Sequence, residues 1–124
     1  MLLLCIDDDP DDMELLCEGI RSVYPSYICV SAKNGEEALN LLKTIVPDII
    51  FLDINMPLMD GRETLREIRK RKSFKHIPVY ILSTTTNRDE MQQFKLLGAE
   101  AFITKPNSFQ ELCSILKGLL IQSV

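Results

Sequence analysis

Apolar residues in this chain follow two alternating patterns. Short runs of consecutive apolar residues are separated by longer segments in which apolar residues recur every three or four positions. Runs of this length are typical of strands buried on both faces, and the longer spacing is typical of amphipathic helices. The runs predict five strands, at residues 2–6, 27–32, 49–52, 79–82 and 101–104.

A helix is predicted after each strand, because residues that begin and end helices stand at the right points. Asp9 and Pro10 suit the N-cap and the first position of the first helix, and Ser108 and Glu111 have the spacing of a capping box before the last one. Gly98 is placed to end the fourth helix. We expect the helices at about residues 10–24, 35–46, 62–72, 88–97 and from 109 onward.

The regular alternation of strand and helix predicts a parallel sheet, because each helix must carry the chain back across one face of the sheet. All six prolines fall at boundaries between elements, and no repeat, low-complexity segment or linker interrupts the pattern. We therefore predict a single α/β domain over residues 1–124, a three-layer sandwich of five parallel strands and five helices.

Composition narrows the function without identifying it. Of the 124 residues, 46% are hydrophobic and 26% are charged, and the net charge of −4 argues against nucleic acid as a partner. No apolar run approaches the ~20 residues of a membrane span, and the N-terminus lacks the basic segment of a signal peptide. We expect a cytoplasmic protein with no membrane partner.

The chain has four cysteines and no C-x-x-C pair. They are interpreted as buried free thiols rather than disulfides or metal ligands: Cys5, Cys17, Cys29 and Cys113.

The residues that follow the strands carry the candidate chemistry. The first strand leads into Asp7 and Asp8, the third into Asp53, the fourth into Ser83 and the fifth into Lys105. Parallel strands bring these ends to one edge of the sheet, where open α/β folds bind ligands. Clustered carboxylates repel one another and need a cation or a raised pKa. Oxygen ligands with open positions suit Mg²⁺, which keeps waters for a phosphate to displace.

These side chains together resemble the parts of a phosphoryl-transfer site. Ser83 offers a hydrogen-bond donor and Lys105 a positive charge for the oxygens of a transferred phosphoryl group. Asp53, alone at the end of a strand that is apolar throughout, is then the natural nucleophile. Taken by itself, Asp53 is equally compatible with a residue that only caps a loop.

At this point the chain resembles a response-regulator receiver domain, the phosphoacceptor module of two-component signalling. The resemblance covers the whole chain and rests on four segments in this order: CIDDDP, LDINMPLMDG, PVYILS and ITKP. It implies a flavodoxin-like receiver fold with strand order 2-1-3-4-5. It also implies Mg²⁺ as cofactor, a sensor histidine kinase or phosphotransfer protein as phosphoryl donor, and no enzyme activity beyond the domain's own phosphorylation and dephosphorylation.

The resemblance assigns a role to each matching residue. Asp53 would be phosphorylated, and Asp8 and Asp53 would bind Mg²⁺ with the main-chain carbonyl of Asn55, assisted by Asp7. Ser83 would be the switch hydroxyl and Phe102 would stand at the switch-aromatic position. Lys105 would pair with the phosphoryl group, and its bond to Pro106 would be cis.

Three positions depart from the family pattern. Thr84 stands where alanine or glycine is usual, and its larger side chain would narrow access to Asp53 and so alter donor preference and phosphoryl lifetime. Phe102 replaces a common tyrosine and lacks its hydroxyl, and Asn107 replaces a common aromatic residue.

Because the chain ends just after the fifth helix, it resembles stand-alone receivers, which dock on another protein or relay the phosphoryl group. We expect a monomer or a weak homodimer; the sequence names neither the kinase nor the target.

Other functions fit the sequence less well. A flavodoxin-like electron carrier needs a hydroxyl- and glycine-rich phosphate loop, whereas this chain has acids at residues 7–9. A Mg²⁺-dependent phosphohydrolase needs a second acid and a cap over the substrate, and no insertion supplies the cap. A receiver that acts only as a phosphorylation-independent interaction module is the remaining alternative. The basic run at residues 62–75 is interpreted as solvated surface, and His76 as a loop residue.

Overall fold

The five apolar runs form the strands of one parallel sheet. The computed structural model describes residues 1–54, 56 and 59–122, and over these residues the strand order is β2-β1-β3-β4-β5. This confirms the predicted fold and strand order. The strands are β1 (Leu2–Ile6), β2 (Ile28–Ala32), β3 (Ile49–Asp53), β4 (Val79–Ser83) and β5 (Ala101–Thr104).

Five α-helices in the described part of the chain connect and follow the strands. Asp9 caps the first one, its carboxylate accepting hydrogen bonds from the N–H groups of Asp11 and Asp12. Ser108 Oγ accepts the N–H of Glu111 at 3.1 Å, as a capping box requires, while the Glu111 carboxylate accepts the N–H of Asn107 at 3.2 Å instead of that of Ser108. The helices are α1 (Pro10–Val23), α2 (Gly35–Leu41), α3 (Gly61–Lys70), α4 (Arg88–Leu96) and α5 (Phe109–Gln122).

Two helices are shorter than the pattern predicts. The second was expected to continue to Pro47 but ends at Leu41. Beyond it the N–H groups of Lys43 and Thr44 bond three residues back, and the Thr44 hydroxyl donates to the Leu41 carbonyl at 3.1 Å. This side-chain bond competes with the helical pattern and tightens the last turn. The third helix ends at Lys70 and is followed by a short 3₁₀ turn, Lys72–Phe74.

Helices cover both faces of the sheet, which makes the three predicted layers. On one face, strand residues such as Leu3 and Phe51 pack with Leu16 of α1 and Leu116 of α5. On the other face, a second set of strand residues packs with helices α2, α3 and α4, through Ala38, Leu65, Ile68 and Phe94. Among the described residues, no helix combines the length and apolarity that crossing a bilayer requires.

The start of α3 rests directly on the backbone that follows β3. A Cβ atom added at Gly61 would lie 2.6 Å from the Ile54 Cα and 3.0 Å from the Asp53 carbonyl oxygen. Because backbone atoms cannot move aside as a flexible side chain does, this position admits only glycine without a shift of α3 or of the Asp53 segment.

We therefore expect Gly61→Ala to destabilise the protein by about 1–3 kcal/mol, the usual cost of overpacking. Gly118→Ala is the matched control, because Gly118 lies in α5 with nothing within 4 Å of an added Cβ. In the control, alanine's better helix propensity should add roughly 0.5–1 kcal/mol of stability. Urea unfolding followed by circular dichroism measures both. Equal stability of the two variants would contradict the close packing at Gly61.

Candidate functional site

Three carboxylates meet at the carboxyl edge of the sheet. Asp7 and Asp8 follow β1, and Asp53 is the last residue of β3, the neighbouring strand. One carboxylate oxygen from each lies within 4.8 Å of the others. Asp7 and Asp53 are 7% exposed and Asp8 is exposed, so the cluster has a buried floor and an open side. The structure thus brings together the three acids that the sequence selected.

Lys105 supplies positive charge to this cluster from just beyond β5. Its Nζ lies 3.2 Å from an Asp7 oxygen and 3.9 Å from an Asp53 oxygen, and 2.8 Å from Asp12. Burial lowers the pKa of Lys105, but the hydrogen bond to Asp12 and the charges of Asp7 and Asp53 outweigh it and raise the pKa above its ordinary value. Lys105 is therefore a full cation throughout the physiological range.

Asp12 is a member of the site that sequence reasoning missed. It lies in the first turn of α1 and makes the shortest ion pair of Lys105. Its position in a helix that begins directly after Asp7 and Asp8 was a usable signal. The helix dipole alone, however, favours acidic residues in the first turn, so the presence of Asp12 there did not by itself indicate a role in the site.

Ser83 is the last residue of β4, and its side chain forms a hydrogen bond with the loop that follows. Its side chain is 1% exposed, and its Oγ accepts the N–H of Thr85 at 3.2 Å. The N–H of Lys105 donates to the Ser83 carbonyl at 2.7 Å, which ties the two predicted site residues together through the backbone. The hydroxyl hydrogen of Ser83 is not used in the Thr85 bond. Thr84, the first residue of this loop, is exposed.

A chain of contacts leads from the Ser83 loop to Phe102. The Thr85 hydroxyl donates to Glu90 at 3.3 Å, and Glu90 pairs with Arg62 at 3.3 Å. The Arg62 guanidinium lies 5.0 Å from the centre of the Phe94 ring. The Phe94 ring centre is in turn 5.9 Å from that of Phe102, which is half-buried.

Phe102 is also near Ser83 across the sheet. Ile81 is its direct partner on β4, and Ser83 follows two residues later, so the side chains of Phe102 and Ser83 point to the same face of neighbouring strands. Sequence reasoning placed both residues correctly on adjacent strands. It missed Arg62 and Glu90, which join α3 to α4 between them.

The donor set fits a hard divalent cation. Three carboxylates in such proximity repel each other by about 4 kcal/mol per pair at 4 Å and an effective dielectric constant of 20. Oxygen ligands with one open side are the kind of site that Mg²⁺ or Mn²⁺ occupies. Asn55, expected to add a main-chain carbonyl, lies outside the described residues.

One expectation about the site is wrong. The Lys105–Pro106 peptide bond is trans, because the described part of the chain contains no cis peptide bond. The trans form is the more stable form of most X–Pro bonds, by about 0.5–1 kcal/mol.

A second cluster of ligand atoms lies away from the acids. All four cysteines are free thiols, and the sulfur atoms of Cys5, Cys17 and Cys29 lie within 4.8 Å of one another. Hydrogen bonds from the Cys29 and Cys5 thiols lower the pKa of Cys17 to about 3, with a smaller contribution from the charge of Arg21. The contacts with Cys17 and Cys29, and after them burial, raise the pKa of Cys5 well above its ordinary value. We call these three residues the thiol cluster.

Comparison with known proteins gives one consistent answer. A sequence model described as "Response regulator receiver domain" matches residues 3–117. The chain is 34% identical over 110 residues to the probable C4-dicarboxylate response regulator DctR of Bacillus subtilis, covering 89% of this chain and 48% of DctR. The chain therefore spans about half or less of the length of DctR and of several other curated relatives.

Solved structures give the same answer. The phosphorylated cyanobacterial phytochrome response regulator RcpA superimposes with a TM-score of 0.87 at 32% identity, over 95% of this chain and 89% of that one. The Mn²⁺-bound form of response regulator Rcp1 superimposes with a TM-score of 0.84 at 27% identity, over 95% and 90% of the two chains. The sequence of Rcp1 of Synechocystis is 27% identical to this chain, and the match covers 95% of this chain and 85% of Rcp1.

Proposed function

This chain belongs to the response regulator receiver domain family, and we propose that it accepts a phosphoryl group on Asp53 from a sensor histidine kinase or a phosphotransfer protein. The observation that carries the proposal is the position of Asp53. It ends a strand buried at every position, within 4.8 Å of two further acids and 3.9 Å from a lysine. A carboxylate placed this way is held rigidly while one side of the cluster stays open to a phosphoryl donor.

The residues have separate tasks in this reaction. An Asp53 oxygen attacks the phosphorus atom, and the bond from phosphorus to the donor nitrogen breaks. Lys105 and the Ser83 hydroxyl bind oxygens of the transferred group, where negative charge is concentrated. Asp7, Asp8 and Asp53 would hold Mg²⁺, which would offset the charge of the acids and of the phosphoryl group.

The ion pairs of Lys105 describe the state before transfer. Its Nζ is nearer to Asp12 and Asp7 than to Asp53. A phosphoryl group on Asp53 replaces the single negative charge of the carboxylate by roughly two near Nζ, so Lys105 should move from the half-exposed Asp12 toward the phosphoryl oxygens. An ion pair as exposed as that with Asp12 is worth about 0–1 kcal/mol, so breaking it costs little free energy.

We further propose that Ser83 and Phe102 transmit the change to the surface between α4 and α5. Because only its acceptor side is used by Thr85, the Ser83 hydroxyl can turn its hydrogen toward a phosphoryl oxygen. Movement of Ser83 changes the space beside Phe102 on the same face of the sheet and pulls on the contacts that run through Glu90 and Arg62. A partner that prefers one position of Phe102 then binds one state more tightly.

The metal ligands can be tested separately from phosphorylation. We expect Asp8→Asn to weaken Mg²⁺ binding by at least roughly tenfold, the lower end of the usual cost of disturbing a metal site. Asp11→Asn is the control, because Asp11 is an exposed acid only three residues further along the chain, in the first turn of α1. Amide NMR shifts during Mg²⁺ titration measure both affinities. Unchanged binding in Asp8→Asn, or equal loss in Asp11→Asn, would contradict the assignment.

A receiver that only docks, without phosphorylation, is the competing function. It would need the surface between α4 and α5 but not three acids, a hydroxyl and a lysine at one edge of the sheet. The output is proposed to be docking on a protein or relay of the phosphoryl group onward, rather than catalysis on a separate substrate.

A further inference from the structure

The thiol cluster lies between helix α1 and the β1–β2 side of the sheet. In the register of these strands, Leu3 pairs with Cys29 and Cys5 with Ser31, so Cys5 and Cys29 are diagonal neighbours that point to the same face. Cys17 projects from α1 onto this face and brings its sulfur within 4.8 Å of both others. Three different elements thus direct three sulfur atoms toward one point.

The cluster is buried on one side and reachable on the other. Cys5 is fully buried, whereas Cys17 and Cys29 are partly exposed. A groove of about 520 Å³ passes Cys17, with Arg21 and Ser31 among its walls, and extends to Asp8. A small ion can therefore reach Cys17, the member of the cluster that lines this groove, directly from solvent.

We propose that Cys5, Cys17 and Cys29 form a binding site for one thiophilic metal ion, with three-coordinate cuprous copper as the best fit. Metal–sulfur bonds of ~2.3 Å in a trigonal plane place the sulfur atoms roughly 4 Å apart. The observed limit of 4.8 Å needs only a small contraction to reach this spacing. Soft thiolate ligands select Cu(I) over hard cations, and a site of three ligands suits it better than Zn²⁺, which prefers four.

The two clusters on this domain then select different ions. The acidic cluster offers only oxygen atoms, which suit Mg²⁺, and the thiol cluster offers only sulfur atoms. Binding at one should not displace the ion at the other. The simpler explanation, that three small apolar side chains fill the core, accounts for Cys5. It does not account for the convergence of two partly exposed thiols on the same point.

An anaerobic titration with Cu(I) against a chromophoric Cu(I) chelator tests the site. We expect one Cu(I) per chain in the wild-type protein, and binding weakened by roughly 10- to 100-fold or more in Cys17→Ser and in Cys29→Ser. Cys113→Ser is the matched control, because Cys113 lies on α5 outside the cluster and should leave the affinity unchanged. Circular dichroism establishes that each variant is folded.

The proposal is overturned if the wild-type chain fails to compete with the chelator. It is also overturned if Cys17→Ser binds as tightly as wild type, or if Cys113→Ser loses binding equally. X-ray absorption of the wild-type copper complex gives a test that needs no variant. Three sulfur neighbours at ~2.3 Å support the site, whereas nitrogen or oxygen neighbours, or only two sulfurs, contradict it.

Discussion

Incubation of this protein with acetyl phosphate and Mg²⁺ should add one phosphoryl group per chain, and Asp53→Asn should abolish the addition. Asparagine keeps the shape of the side chain but replaces the carboxylate oxygen that attacks phosphorus by a neutral amide. We expect neither of the other two acids to substitute for it, because one Asp7 oxygen accepts the N–H of Asp9 at 3.0 Å and the other lies 3.2 Å from Lys105, and because Asp8 is exposed instead of standing at the end of a buried strand. Intact-mass spectrometry reads the addition directly.

The control for this experiment is Asp11→Asn, which removes one exposed acid from α1 and should be phosphorylated like wild type. The phosphoryl group should disappear with time without any added phosphatase, since an acyl phosphate hydrolyses in water. A phosphorylated Asp53→Asn protein would show that another residue is the acceptor. A wild-type protein that stays unmodified, while Mg²⁺ binds normally, would favour the phosphorylation-independent module.

Ser83→Ala should still be phosphorylated on Asp53 but should lose most of the phosphorylation-dependent change at Phe102. Conversion of a mostly inactive population to a mostly active one requires a difference of about 5.5 kcal/mol in phosphoryl binding between the two states. A charge-assisted hydrogen bond from Ser83 supplies about 1.5–3 kcal/mol of this. In the mechanism proposed above, Lys105 leaves Asp12 for the phosphoryl group and must supply much of the remainder.

The experiment compares aromatic and methyl NMR spectra with and without beryllium fluoride as a phosphoryl mimic. Thr86→Ala is the matched control, because Thr86 is an exposed hydroxyl residue in the same loop and should leave the change at Phe102 intact. A full change at Phe102 in Ser83→Ala would mean that the signal travels by another route. Glu90 and Arg62 then become the next positions to replace, because their contacts also end at Phe94 beside Phe102.

The fold could be predicted from the sequence because each level of structure agreed with the others. The apolar runs, the N-cap at Asp9 and the C-terminal stop at Gly98 all matched the same alternation, and Gly98 adopts a φ of 107°, a conformation that favours glycine. The early end of α2 could not be predicted in the same way. The hydrogen bond from the Thr44 hydroxyl to the Leu41 carbonyl is a local interaction, and the spacing of hydrophobic residues carries no information about it.

The site could be predicted where residues follow strands, and not where they come from helices. Asp7, Asp53, Ser83 and Lys105 stand at strand ends, whose common edge is fixed by parallel topology. Arg69 shows what the sequence cannot give: it was assigned to a solvated basic surface, but its guanidinium donates to the Gly98 carbonyl at 2.8 and 3.0 Å and to the Phe74 carbonyl at 2.8 Å. The thiol cluster depends likewise on how α1 lies on the sheet.

The burial of the strands also sets how readily each part of the site can open by itself. Strands β3 and β4, which end in Asp53 and Ser83, are buried at every position, whereas β5 is half-buried to exposed along its length. Segments with few buried contacts unfold locally at a lower free energy than those in the centre of the core. Asp53, the proposed acceptor, and Ser83 thus belong to the last part of the domain to unfold. Phe102 belongs to an edge strand whose local opening costs less free energy, so phosphorylation as proposed above is expected to change the dynamics of β5 while β3 stays folded.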